Sequence, residues 1–152
     1  MNPQLQAIMI SLLVAEQQSL FILLSADGSI NRMGTGSIHN PDRDMFIGIV
    51  TNNLFDQVKE VIDPEWFEHA GGYDLPNKKG VMCELTTIFK FTDGSEKGLQ
   101  FKYGSESQGP PSDIGNYVRK AVEITNSWYE QQKIMVSKAK TDRKPKPRWK
   151  LW

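Results

Sequence analysis

Histidine and cysteine are the side chains that titrate nearest neutral pH, and this sequence holds three of them, His39, His69 and Cys83. His39 stands in a polar stretch with Asp42 and Asp44 just behind it, a grouping that would suit a carboxylate–histidine pair or a metal ion. Its spacing matches no ligand signature, and Asp and Asn fill loops for turn reasons of their own, so no metal is predicted. His69 precedes Gly71-Gly72 at an expected helix end, where a cation is favoured by the helix dipole. Cys83 falls between Met82 and Glu84 in a strand pattern, the ordinary place of a small buried side chain rather than of a nucleophile. There is no nucleophile elbow, phosphate-binding Gly-rich run or paired-histidine helix. The sequence therefore predicts no catalytic residue, no cofactor and no enzyme activity.

Two segments offer binding chemistry instead. Gly104 to Pro111 connects an expected strand to an expected helix start, where free amides and the helix dipole favour an anion. Ser105, Ser107, Ser112 and Arg119 are its candidate ligand groups, with Lys102 nearby, while Glu106 and Asp113 act against an anion. The competing reading is a capped connection stiffened by Pro110-Pro111. The second segment is the tail, 138–152. It mixes Lys140, Arg143, Lys144, Lys146 and Arg148 with Pro145, Pro147, Trp149 and Trp152. The prolines block a helix, the cations attract phosphates, and tryptophans stack on bases or dock in apolar grooves.

The formal charge of zero hides an asymmetry. From Lys138 to Trp152 there are seven basic residues and one acidic one, so of the 18 basic and 18 acidic residues 11 and 17 remain in the first 137. An acidic body with a basic tail suits an anionic partner, or contact between tail and body within the chain or between copies. Glu16, Gln17 and Gln18 interrupt the apolar stretch Leu5 to Leu24, and no basic residue precedes Arg32. A membrane span and a secretory leader are accordingly not expected, and a single cysteine fits the cytoplasm.

The elements that must carry these groups read as hairpin, helix, hairpin, helix. Leu20 to Leu24 and Ile30 to Thr35 flank Asp27-Gly28, the pair typical of a type I′ turn. Met45 to Val50 reads as another buried strand. Thr51 to Asn53 would cap a helix carrying Leu54, Val58, Val61 and Ile62, which Pro64 breaks or kinks. Val81 to Phe91 and Leu99 to Tyr103 flank Asp93-Gly94, and a helix capped near Ser112 or Asp113 continues to about Lys133 or beyond. Leu5 to Val14 fits either a helix or a strand, and the β-rich continuation favours the strand.

This predicts one α+β domain over 1–137 with a tail over 138–152. The expected architecture is an antiparallel sheet of five or six strands built from hairpins, with two helices on one face and a ββα pseudo-repeat suggested by the two Asp-Gly-Ser turns. The function expected is a non-catalytic adaptor or inhibitor-like module that binds a protein partner, self-association included. Lys140, Arg143, Lys144, Lys146, Arg148, Trp149 and Trp152 would contribute. Nucleic-acid binding through the same tail is the alternative. A small-ligand site is the third reading, and its sign would be a pocket lined by Trp66, Tyr73 or Tyr103.

Overall fold

Side chains alternate with a period of two through most of the chain, which sets them on opposite sides of a pleated strand. A computed structural model describes residues 3–37, 42–51, 53–76 and 78–142, with the backbone alone described for 140–142. It contains β1 (Leu5–Val14), β2 (Gln17–Ser25), β3 (Ser29–Gly34), β4 (Met45–Ile49), β5 (Gly71–Asp74), β6 (Met82–Phe91) and β7 (Glu96–Gly104). They form one sheet in the order β4-β3-β2-β1-β6-β7-β5. Every pairing is antiparallel except β5 with β7. The helices are α1 (Leu54–Lys59), a 3-10 helix over Pro64–His69, and α2 (Ser112–Asp142).

The α+β class and the mainly antiparallel sheet match the expectation, with three corrections, each for the described residues. The strands number seven rather than five or six. The helices number three rather than two: α1 stops at Lys59, and a separate 3-10 helix begins at Pro64 after Asp63, whose side chain accepts the Glu65 N–H. The ββα repeat does not appear either. The first hairpin is followed by β4 before its helix, whereas the second leads straight into α2. The seventh strand is Gly71-Gly72-Tyr73-Asp74, where the Gly-Gly pair reads as a helix stop. Its pairing comes from tertiary contact with β7 and not from local preference.

The turns differ from expectation in type. Gly28 and Gly94 have φ of 98° and 87°, while Asp27 and Asp93 keep negative φ. Gly28 N–H donates to Ser25 and Gly94 N–H to Phe91, at 3.0 Å each. These are type I turns closed by a glycine bulge, and each Asp stabilises its turn by accepting the N–H of Ser29 or Ser95 at 2.9 Å. The type I′ geometry instead occurs between β1 and β2, where Ala15 and Glu16 hold φ of 51° and 66°.

One face of the sheet is covered. Ile8, Ile10, Ile22, Leu24, Leu85 and Phe89 point to that side and are buried with Val58, Tyr117, Ala121 and Trp128 of the helices. α2 crosses the sheet on this face. Near its start Tyr117 packs 5.2 Å from Trp66 and 6.1 Å from Phe89, and further along Tyr129 meets Phe46 of β4 edge-on at 5.6 Å. Trp128 lies so close to Gly48 that a Cβ there would sit 3.1 Å from the indole. The helix is about 46 Å long at 1.5 Å per residue. Beyond Lys133 it leaves the core, with Ile134, Met135 and Val136 exposed.

Candidate functional site

Among the described residues no helix lies on the other face of the sheet. The registers place Ile88, Met9, Leu23, Asn31 and Ile47 in one cross-strand row, and Thr86, Ser11, Phe21, Met33 and Met45 in the next. Of these side chains only Met33 is buried, at 8% exposure, and none packs in the main core cluster. Charged groups on this face occur only on β5, β6 and β7: Glu84 opposite Lys102, with Asp74 beside it, at one end and Lys90 opposite Glu96 at the other. The four strands from β4 to β1 present none. Exposure rises toward the sheet edge, to 51% for Met45, 75% for Ile47 and 78% for Ile49. Contiguous apolar surface of this kind marks interaction sites on monomers, whereas single exposed apolar residues need no explanation.

Among the described residues no strand pairs with the outer edge of β4. Val50 N–H donates to Gly28 at 2.9 Å, so the backbone groups of Phe46 and Gly48 point inward to β3. Those of Met45, Ile47 and Ile49 point outward. The sequence reading of a buried strand is therefore corrected. Phe46 and Val50 pack against the core, while the alternate residues face solvent.

Beneath this edge lies a cluster that holds β3 and β4 to α2. Arg32 is fully buried. Its side chain donates to Gly34 O at 3.1 Å and to Thr125 Oγ1 at 3.0 Å, and its guanidinium sits 4.4 Å from the Tyr129 ring centre. Desolvation lowers its pKa from the ordinary value, opposed by Tyr129, Glu130 and Asp42. Tyr129 accepts the Gly34 N–H at 3.0 Å and donates to Asp44 O at 2.6 Å. Lys133 forms an ion pair with Asp42 and lies 4.5 Å from the same ring. A charged residue at an inward position is the signal that could have found Arg32, since it shares the alternation of Ile30.

The residues singled out from sequence fall elsewhere. Ser105 Oγ accepts the Val81 N–H at 2.9 Å, and the Ser107 hydroxyl bridges the N–H and C=O of Gly104 at 3.1 and 3.0 Å. The N–H groups of Ser105 and Glu106 donate to Val81 and Lys79, at 2.8 and 2.9 Å, so these two loop amides are already paired. Ser112 opens α2 in an exposed position, and Arg119 donates to Asn116 at 2.8 Å. Lys140 lies on the α2 backbone. Its side chain, with Arg143, Lys144, Lys146, Arg148, Trp149, Trp152 and His39, lies outside the described residues. Cys83 is 2% exposed, and burial pushes its thiol above the usual range. Among the described residues no group of three His, Cys, Asp or Glu side chains is placed to hold a metal ion, and no helix is long and apolar enough to cross a membrane.

A groove of about 280 Å³ lies between the 3-10 helix, β5, β7 and the start of α2, lined by Trp66, His69, Tyr73, Phe101 and Ile114 among others. Tyr73 stacks on Phe101 at 5.2 Å and donates to His69 O. Two of the groove's polar groups are turned on each other: Trp66 Nε1 donates to Asp113 Oδ2 at 2.8 Å, and Asp113 Oδ1 accepts the Ile114 N–H at 2.9 Å. Tyr103 is not in its lining. Burial, with the Cys83 thiol adding, pushes the Tyr103 hydroxyl up to about 12. In comparison with known proteins, the chain matches no family model and no curated sequence.

Proposed function

We propose that this chain is a non-catalytic interaction module that docks a protein partner on the uncovered face of its sheet, with the basic tail beyond Lys138 contributing to the contact. The observation that carries the reading is the apolar, charge-free face spanning β4 to β1. Sheets that leave one side to water alternate apolar and polar residues. Here Met9, Phe21, Leu23, Met33 and Ile47 occupy the side where polar residues belong. Burying an Ile or Leu side chain is worth about 1.5–3 kcal/mol, so a few of them covered by a partner could supply a micromolar affinity after the cost of association. The buried Cys83 thiol, pushed away from its reactive thiolate form, is a poor nucleophile.

A second reading is supported by the groove beside Trp66 and Tyr73. Its volume of about 280 Å³ falls just under the usual span of ligand pockets, roughly 300–1,000 Å³. Trp66 and Asp113 are bonded to each other, which leaves shape, apolar contact and the His69 side chain in the lining to select a ligand.

The test is capture from native lysate with the tagged full chain, with Ile47→Lys/Ile49→Lys, and with a chain ending at Ser137, each with and without nuclease. Both isoleucines are exposed, so the double variant keeps the fold. A nuclease-resistant partner held by the wild-type chain and lost from the double variant is the expected result. Capture that survives Ile47→Lys/Ile49→Lys unchanged contradicts docking on the face. Capture abolished by nuclease transfers the activity to nucleic acid and the tail.

A further inference from the structure

We propose that the partner on this face is a second copy of the same chain, packed sheet against sheet about a two-fold axis perpendicular to the strands; the inference rests on the docking reading above. Self-complementarity is the argument. An isologous contact requires that each residue meet the residue the axis carries onto it. An axis crossing β6 at Thr87 and β1 at Ile10 exchanges the two ends of the face. It carries Glu84 over Lys90 of the other copy, and Lys102 over Glu96. On β6 and β7 the two charged rows therefore meet with opposite signs, at the rim where such pairs guide orientation, while Asp74 beside Lys102 is paired with Lys78 of its own chain. Between them the same rotation sets Leu23 over Phe21, Ile47 over Met45 and Met9 over Ser11, an apolar centre with no like charges opposed.

The area agrees. Six strands spaced about 4.8 Å apart and a stretch of about seven residues at 3.4 Å each give a patch of roughly 29 by 24 Å. Two copies would cover roughly 1,400 Å² together, which clears the threshold of about 1,000 Å² for a specific interface and sits in the lower half of the standard range. A reversible dimer follows, with dissociation on the order of micromolar. Glu84 is already oriented by Gln100, whose amide donates to it at 2.5 Å, so part of the rim is held in place before contact.

The experiment is sedimentation velocity on the full chain between about 1 and 200 µM, with Ile47→Lys, Glu84→Lys, Lys90→Glu and the Glu84→Lys/Lys90→Glu double variant. Far-UV circular dichroism checks that each folds. The wild-type chain should shift from 17.3 kDa to twice that mass. Ile47→Lys should weaken association at least ~100-fold, because the substitution enters a two-fold contact twice. Each charge reversal should weaken it by about tenfold, and the double reversal should restore it to within about threefold. A chain that stays monomeric at 200 µM overturns the assignment of a second copy, as does a dimer indifferent to Ile47→Lys. A double reversal no better than the singles overturns the two-fold arrangement. The docking reading fails by a different result: heterologous capture that Ile47→Lys/Ile49→Lys leaves intact.

Discussion

Replacing Tyr129 with Phe tests whether the cluster under β4 holds the sheet to α2. The ring stays, with its contacts to Arg32, Lys133 and Phe46, and only the hydroxyl goes. That hydroxyl is the acceptor for Gly34 N–H at 3.0 Å and the donor to Asp44 O at 2.6 Å. Gly34 cannot shift to find another partner. Its φ is +75°, and its Cα approaches β2 so tightly that a Cβ would lie 2.1 Å from Ser19 O. Leaving a buried N–H unpaired costs about 1–3 kcal/mol, and the second bond adds about 1 kcal/mol. The sum is roughly 2–4 kcal/mol, or a melting temperature lower by roughly 5–15 °C at this chain length. Urea unfolding followed by tryptophan fluorescence gives the number. Tyr103→Phe is the control, since no hydrogen bond of its hydroxyl is found among the described residues, and it should change stability by less than about 0.5 kcal/mol. A Tyr129→Phe chain within about 0.5 kcal/mol of wild type would refute the reasoning.

Three further outcomes follow from local geometry. Ala15→Asn/Glu16→Gly should stabilise the chain by about 1–2 kcal/mol, because both positions hold left-handed backbone that Asn-Gly adopts without strain; an unchanged or lower urea midpoint would contradict this. Burial works to raise the Asp42 carboxyl, but the hydrogen bond and charge of Lys133 and the Asp44 N–H bring it below its usual value, while Lys133 is raised chiefly by Asp42. The Asp42 contribution is present above its unfolded pKa of about 3.9 and is lost as pH falls through the lower folded value. The stability gap between wild type and Lys133→Met should thus narrow between pH 5 and pH 2, and a constant gap counts against the pair. The Lys133 side has the opposite sign, full below about pH 10.4 and lost as pH rises through the raised value. Cys83, 2% exposed with its thiol pushed up, should react with a thiol reagent such as Ellman's reagent at least ~100-fold more slowly in buffer than in urea; comparable rates would show that the strand end opens.

How much of this was legible depended on which contacts were local. Leu85, Phe89, Leu99 and Phe101 advertise their strands because a single covered face imposes a strict period of two. The Asp27 and Asp93 turns are equally plain in their residues, although their type is decided by the strand register they close. β4 reads as buried because Met45-Phe46-Ile47-Gly48-Ile49-Val50 is apolar on both sides, and a continuous apolar run does not distinguish a strand covered twice from one with a bare face. The candidate surface escaped notice for the same reason. Its residues come from five strands and become one patch only through the register. β5 has no strand propensity in Gly71-Gly72 and exists through pairing with β7. The turn at Ala15-Glu16 carries no glycine or asparagine to announce it. The serines of the Gly104–Pro111 loop were conspicuous, yet two of them complete backbone hydrogen bonds. The tail residues named from sequence lie outside the described residues, apart from Lys138 and Ala139 on the exposed end of α2 and the backbone of 140–142.

The most direct test of the central claim is peroxide footprinting of two methionines of similar exposure, Met45 on the uncovered face at 51% and Met135 on α2 at 61%. Their oxidation rates are compared by mass spectrometry in purified chain at about 1 µM, in purified chain at about 200 µM and in native lysate. Docking on the face predicts that Met45 oxidises several-fold more slowly at about 200 µM, where a second copy covers it, or in lysate, where another protein does, while Met135 keeps its rate. Equal rates for Met45 in all three conditions, or protection of Met135 alone, would contradict it.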